Sequence, residues 1–92
     1  MEITYTSWDG IQKTWNPETG GFYFLRISKT VVNTDGSFFG ESTMGRFSTL
    51  NDVQTAYKAI LCVRPDLKDT IAPVKAPSAF DAVKTYVRVD RW

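Results

Sequence analysis

Three turn signals divide the first half of the chain. Asp9-Gly10, the run Asn16-Pro17-Glu18-Thr19-Gly20-Gly21, and Asp35-Gly36 each separate stretches rich in aromatic and β-branched residues. Asp-Gly supplies the positive φ angles of a two-residue hairpin turn. Pro17 presets φ for a type I turn, and the glycines after it can take the left-handed position. Hairpins at these places predict a four-stranded antiparallel meander built from residues 3–8, 11–15, 22–32 and 37–47. Gly40 and Gly45 fall inside the last of these strands and mark bulges or a local twist.

A helix follows. Thr49 with Asp52 three residues later makes a capping pair, and the carboxylate suits the positive end of the helix dipole. Leu50, Val53, Tyr57 and Ile60 recur at helical spacing, flanked by Ala56 and Leu61. Pro65 stops the helix. Cys62, between Leu61 and Val63, reads as a small core residue. Residues 66–77 contain Pro73 and Pro77 and few large apolar groups, which predicts mostly loop with one helical turn near Pro65. Beyond it, Ser78 caps a short helix over 79–85, and the alternation after Thr85 predicts a strand or extended arm. The fold class is therefore α+β: a four-stranded antiparallel meander on one main helix, then a loop-rich C-terminal segment. The 92 residues form a single domain, since a core that splits in two needs roughly 250 or more.

Turn geometry sets the register, and register decides which side chains share a face. Two-residue turns place Val32 opposite Phe39, Arg26 opposite Gly45, Phe24 opposite Phe47 and Trp8 opposite Ile11. One face then carries Trp8, Ile11, Lys13, Trp15, Phe22, Phe24, Arg26, Phe39 and Phe47. The other carries Ile3, Tyr5, Tyr23, Leu25, Ile27, Val31, Phe38 and Met44, and it is the better partner for the helix stripe. The aromatic face has two readings. The C-terminal segment covers it through Phe80, Val83 and Val87, or part of it stays open as a binding platform. In the second reading Lys13, Trp15, Phe24, Arg26 and Lys29 are the binding residues, stacking on bases, pairing phosphates or anchoring a protein interface. Arg26 is the most informative of the five. A guanidinium among aromatics either reaches a ligand or pairs with a carboxylate such as Glu41.

The chemistry of catalysis is thin. With no histidine there is no His general base and no Ser-His or Cys-His pair. One cysteine and no histidine exclude the common structural zinc sites and an internal disulfide framework. No glycine-rich strand-to-helix loop carries a lysine, and the acidic residues lack calcium-loop spacing. The sequence thus predicts no enzyme, no catalytic residues, no cofactor and no metal. Eleven basic against ten acidic residues give a net charge of +1, without a block of like charge. Dedicated nucleic-acid domains usually exceed roughly pI 9; this chain lies near 7.8. No apolar run reaches the ~18 residues of a membrane span, so no membrane partner is expected. A lone cysteine without a signal sequence suits a reducing cytoplasm, bacterial or that of an infected host.

Residues 21–27, then Gly45-Arg46-Phe47-Ser48-Thr49, then Ala56-Tyr57-Lys58-Ala59-Ile60, resemble the Apetala-type DNA-binding domain and the arm-binding domains of phage integrases. That family lays a three-stranded sheet, backed by one helix, in the major groove. The resemblance implies sequence-specific DNA binding, with Lys13, Arg26 and Lys29 as the sheet cations facing DNA. The family's run of arginines in the first strand is not present.

Three function classes follow. The leading one is a small non-enzymatic binding protein that docks on a protein or nucleoprotein. Its size and lack of catalytic residues suit a phage-borne inhibitor of a host nucleic-acid machine, an anti-CRISPR-like role. The second is the Apetala-like DNA-binding module, which contacts nucleic acid directly. The third is a structural virion or assembly subunit, with Trp92 and the 66–77 loop packing against neighbours.

Overall fold

A computed structural model describes residues 1–90 of the chain. The elements run β1 (Ile3–Thr6), β2 (Gln12–Trp15), β3 (Phe22–Ile27), β4 (Val31–Val32), β5 (Phe38–Phe39), β6 (Ser42–Phe47), α1 (Leu50–Val63), a 3-10 turn Pro65–Leu67, β7 (Ile71–Ala76) and β8 (Val87–Arg88). The fold is α+β, with a four-stranded antiparallel sheet packed on one main helix. The strands that make the sheet differ from the expected ones. Its order is β6-β3-β7-β8, while β1-β2 and β4-β5 form separate two-stranded hairpins.

The largest correction concerns residues 66–77. They are not mostly loop: β7 runs beside β3 along its whole length, from Phe22 opposite Ala76 to Ile27 opposite Ile71. Pro73 hid this strand, because proline cannot donate to a ladder and normally avoids strands paired on both sides. The geometry resolves the conflict. In an extended strand the N–H and C=O of one residue point the same way. The Pro73 carbonyl accepts from the Val89 N–H at 2.9 Å, on the side away from β3. The missing N–H therefore faces Val89, and no bond to β3 is lost. The Val89 carbonyl, which would have accepted that N–H, instead accepts from Gln54 Nε2 of α1 at 3.0 Å.

Register departs from expectation for one shared reason. Among the described residues no non-glycine has positive φ, so neither Asp-Gly pair forms the two-residue turn in which both residues turn left-handed. Each closes a three-residue loop instead. Ser7 N–H donates to the Ile11 carbonyl and Asn33 N–H to the Ser37 carbonyl. Gly10 and Gly36 take the left-handed position at φ 83° and 88°. Val31 then faces Phe39 and Val32 faces Phe38. In β6 the ladder slips again at Gly45, which has φ 71°. Leu25 pairs with Met44 but Tyr23 pairs with Phe47, so β6 holds one extra residue. This bulge turns Phe47 to the helix side of the sheet, not to the aromatic face as expected.

Two apolar layers result. The helix forms where its sequence placed it, with Thr49 accepting from the Asp52 N–H. Val53 and Tyr57 pack on Leu25, Ile27, Val31, Leu67 and Ile71, with Tyr23 and Phe47 at the margin. Cys62 is exposed, a correction to its reading as core. It lies five residues beyond Tyr57, about 140° round the helix from the buried stripe. The second layer holds Phe24, Val74, Ala76 and Ala82, flanked by Ala72 and Tyr86. Residues 78–86 cover this side of the sheet as a run of turns rather than the expected short helix, and a two-residue strand follows. Arg91 and Trp92 lie outside the described residues, so the packing expected of Trp92 does too.

Candidate docking site

The five residues nominated from sequence do not gather into one platform. Phe24 is 1% exposed and Trp15 6% exposed. Phe24 sits beneath residues 78–86. Trp15 Nε1 donates to the Gly20 carbonyl at 2.9 Å, and its ring packs so closely on Gly21 that a Cβ there would lie 2.8 Å from Nε1. Neither aromatic can stack on a ligand, because each is already core. Residues 78–86 lie over the Phe24 part of the sheet face that the Apetala resemblance would place in a groove. Lys13 and Lys29 are exposed. Lys13 belongs to the separate hairpin and pairs with Asp9 at 3.8 Å, so it is no cross-strand neighbour of Arg26.

Arg26 takes the internal-pair option. Its Nε and Nη2 donate to the Val83 carbonyl at 3.2 and 3.1 Å, and Nη2 bonds Glu41 Oε1 at 3.1 Å. The guanidinium carbon lies 4.5 Å from the centre of the Tyr86 ring. Arg26 is a strut between the sheet and the C-terminal segment. It offers that segment a fixed donor where a buried carbonyl would otherwise lack one.

A different pair of aromatics meets the solvent. Trp8 is 67% exposed and Phe80 73% exposed, with ring centres 5.3 Å apart and planes tilted by 41°. Trp8 comes from the β1-β2 loop, and Phe80 from the turns that cover the sheet. Asp81 joins them. Its Oδ1 accepts from the Trp8 N–H at 2.8 Å. Its two oxygens accept from the Ser7 hydroxyl at 3.1 and 3.0 Å, and Oδ2 accepts from the Ser78 hydroxyl at 2.9 Å. Ser7 and Asp81 are both buried. Burial alone would push the Asp81 carboxyl up; the hydrogen bonds from Ser78, Trp8 and Ser7, with the charge of Lys13, outweigh it and hold the carboxyl below its ordinary value. The same network backs a hollow of about 320 Å³ beside the paired rings, with Val83 and Lys84 on its wall.

No family model, curated protein or solved structure matches the chain. The reading of the site rests on its own geometry.

Two sequence signals pointed towards this pair. Ser78 with Asp81 three residues on is a capping pair, and the Asp81 N–H does bond the Ser78 hydroxyl at 3.2 Å. Ala79 and Phe80 lie between them, and Phe80 is exposed, a correction to its expected place covering the sheet. Trp8 beside Asp9-Gly10 sits in a three-residue loop, where a side chain has no strand neighbour to bury it. A two-residue turn, by contrast, places Trp8 on a sheet face, and that assumption concealed it.

The described residues hold no group of three or more His, Cys, Asp or Glu side chains placed to bind a metal ion. No described helix is long and apolar enough to cross a membrane.

Proposed function

We propose that the chain is a non-enzymatic docking protein, and that Trp8 and Phe80 are the anchor it inserts into a larger protein or nucleoprotein. The observation that carries this is two large, exposed rings held by a buried carboxylate. Interfaces concentrate their affinity in a few aromatic side chains seated in desolvated sockets. A preset pair loses little side-chain freedom on binding. The Trp8 backbone is tied to Asp81 through its N–H, and the indole rests against the Phe80 ring. Lys84 stands beside the rings and sets one positive charge at the rim, whereas Lys13 is paired with Asp9. The complementary surface is an apolar socket with an acceptor placed to meet Lys84. A 92-residue chain that fills such a socket blocks it sterically, which accommodates an inhibitor of a nucleic-acid machine.

The test compares the native chain with a Trp8→Ala/Phe80→Ala double variant against a partner identified by affinity capture. Both rings are mostly solvent-facing, so thermal stability should stay close to native. Affinity for the partner should fall by at least about 30-fold, the signature of hot-spot residues. Unchanged affinity in a folded variant refutes the anchor. So does partner binding that is lost equally with Lys29→Ala, which lies on a different loop.

A further inference from the structure

We infer that a second site, on the sheet face opposite α1, binds a phosphate-type oxyanion. The register builds it. Arg26 pairs with Ala72 across β3-β7, and Val74 pairs with Arg88 across β7-β8. Paired residues share a face, and so do residues two apart on one strand. Arg26 and Arg88 therefore flank β7 on its two sides, with the small Ala72 between them. The absent side-chain bulk at Ala72 leaves a cleft of about 200 Å³, closed at one end by the turn that carries Lys68. That volume is below the ~300–1,000 Å³ of sites for whole drug-sized ligands. It suits an anionic group, alone or at the end of a larger molecule.

Three cations, Arg26, Lys68 and Arg88, and one carboxylate, Asp69, line the cleft, while Arg26 and Arg88 each hold a further carboxylate, Glu41 and Asp90, outside that lining. Arg26 arrives pre-organised. Nε and Nη2 are held by Val83 and Glu41, and Tyr86 lies against the guanidinium plane. Nη1 is the nitrogen left over from that set. Arg88 is bonded to Asp90 two residues away, at the protein surface. Lys68 forms no salt bridge among the described residues. A fixed guanidinium with two adaptable cations around it is the arrangement that recognises a tetrahedral oxyanion, because charged N–H donors converge from several directions.

Two sources carry this chemistry, a free or nucleotide phosphate and a nucleic-acid backbone. The experiment follows amide and arginine side-chain NMR shifts of the full chain at constant ionic strength. Three probes are added separately: inorganic pyrophosphate, adenosine diphosphate, and a single-stranded hexanucleotide. Saturable shifts at Ser28, Thr70, Ala72 and the Arg26 side chain are expected with at least one probe, and the tightest probe names the source. Lys68 and Arg88 are both exposed, so their variants should fold. Lys68→Ala and Arg88→Ala should each weaken binding about tenfold, and Lys29→Ala should leave it unchanged. The absence of saturation with every probe up to about 10 mM overturns the site. Binding that survives a Lys68→Ala/Arg88→Ala double variant overturns it as well.

Discussion

Gln54 stands in for an amide that Pro73 does not have. A proline between two strands leaves one carbonyl of the ladder without its donor, and the Gln54 side chain fills that place from the helix. The side chain thus ties α1 to the last strand across the edge of the sheet. Leucine at this position has nearly the same size and no donor. Gln54→Leu should leave the Val89 carbonyl unpartnered and cost about 1–3 kcal/mol. A shift of the urea midpoint to lower concentration at unchanged m-value measures it; an unmoved midpoint means that the bond carries no stability. The sequence shows a glutamine on the flank of an apolar stripe, and nothing in it assigns a partner 35 residues away. Arg26 was more legible. A cation placed among aromatics demands a carboxylate or a ligand, and Glu41, on the segment that returns beside β3, is the carboxylate it meets.

Among the elements, the β1-β2 hairpin depends on a contact made outside it. It does not pair with the four-stranded sheet, and a lone hairpin is at best marginally stable in water. The Asp81 carboxylate, 74 residues from Ser7, clamps its loop to the C-terminal segment. This clamp titrates. Asp81 has a folded value lowered from its ordinary 3.8. Its contribution is therefore complete above that ordinary value and is lost as pH falls through the lowered one. The native chain should lose stability below about pH 4, and Asp81→Asn, weaker at neutral pH, should lose less over the same interval. Denaturation midpoints from pH 7 to pH 2 decide this, and a stability gap that stays constant with pH refutes the clamp. At this scale the sequence was read well wherever one local signal sufficed. The Thr49 cap, the helix period and the stop at Pro65 all reappear in α1. It was read poorly wherever pairing was nonlocal. A proline disqualified β7, and an aspartate before glycine allowed two loop lengths. A one-residue difference in loop length moved Trp8 from a supposed sheet face to a loop tip.

The whole molecule is a sheet with a layer on each side, and the layers are unequal. The helix side holds Tyr57, 6% exposed, against Leu25, Ile27 and Ile71. The opposite side is closed by turns and small residues, Ala76 and Ala82 among them. Tyr57 should therefore govern global stability. Tyr57→Ala is expected to cost about 3 kcal/mol, a large fraction of the ~5–15 kcal/mol that holds most domains together. Its hydrogen exchange should accelerate in α1, β3 and β7 together, since these strands share that layer. An unchanged denaturation midpoint removes Tyr57 from the core.

The bulge at Gly45 has a consequence for how copies of this chain behave in concentrated solution. A straight outer strand is a template, and a second molecule can add its own backbone to the free amides. Here one border of the sheet is β6, kinked by an extra residue, and the other is β8, only two residues long. Neither border offers the even run of donors and acceptors that end-to-end stacking needs. The same left-handed glycine that turns Phe47 inward also discourages the protein from growing into a fibre.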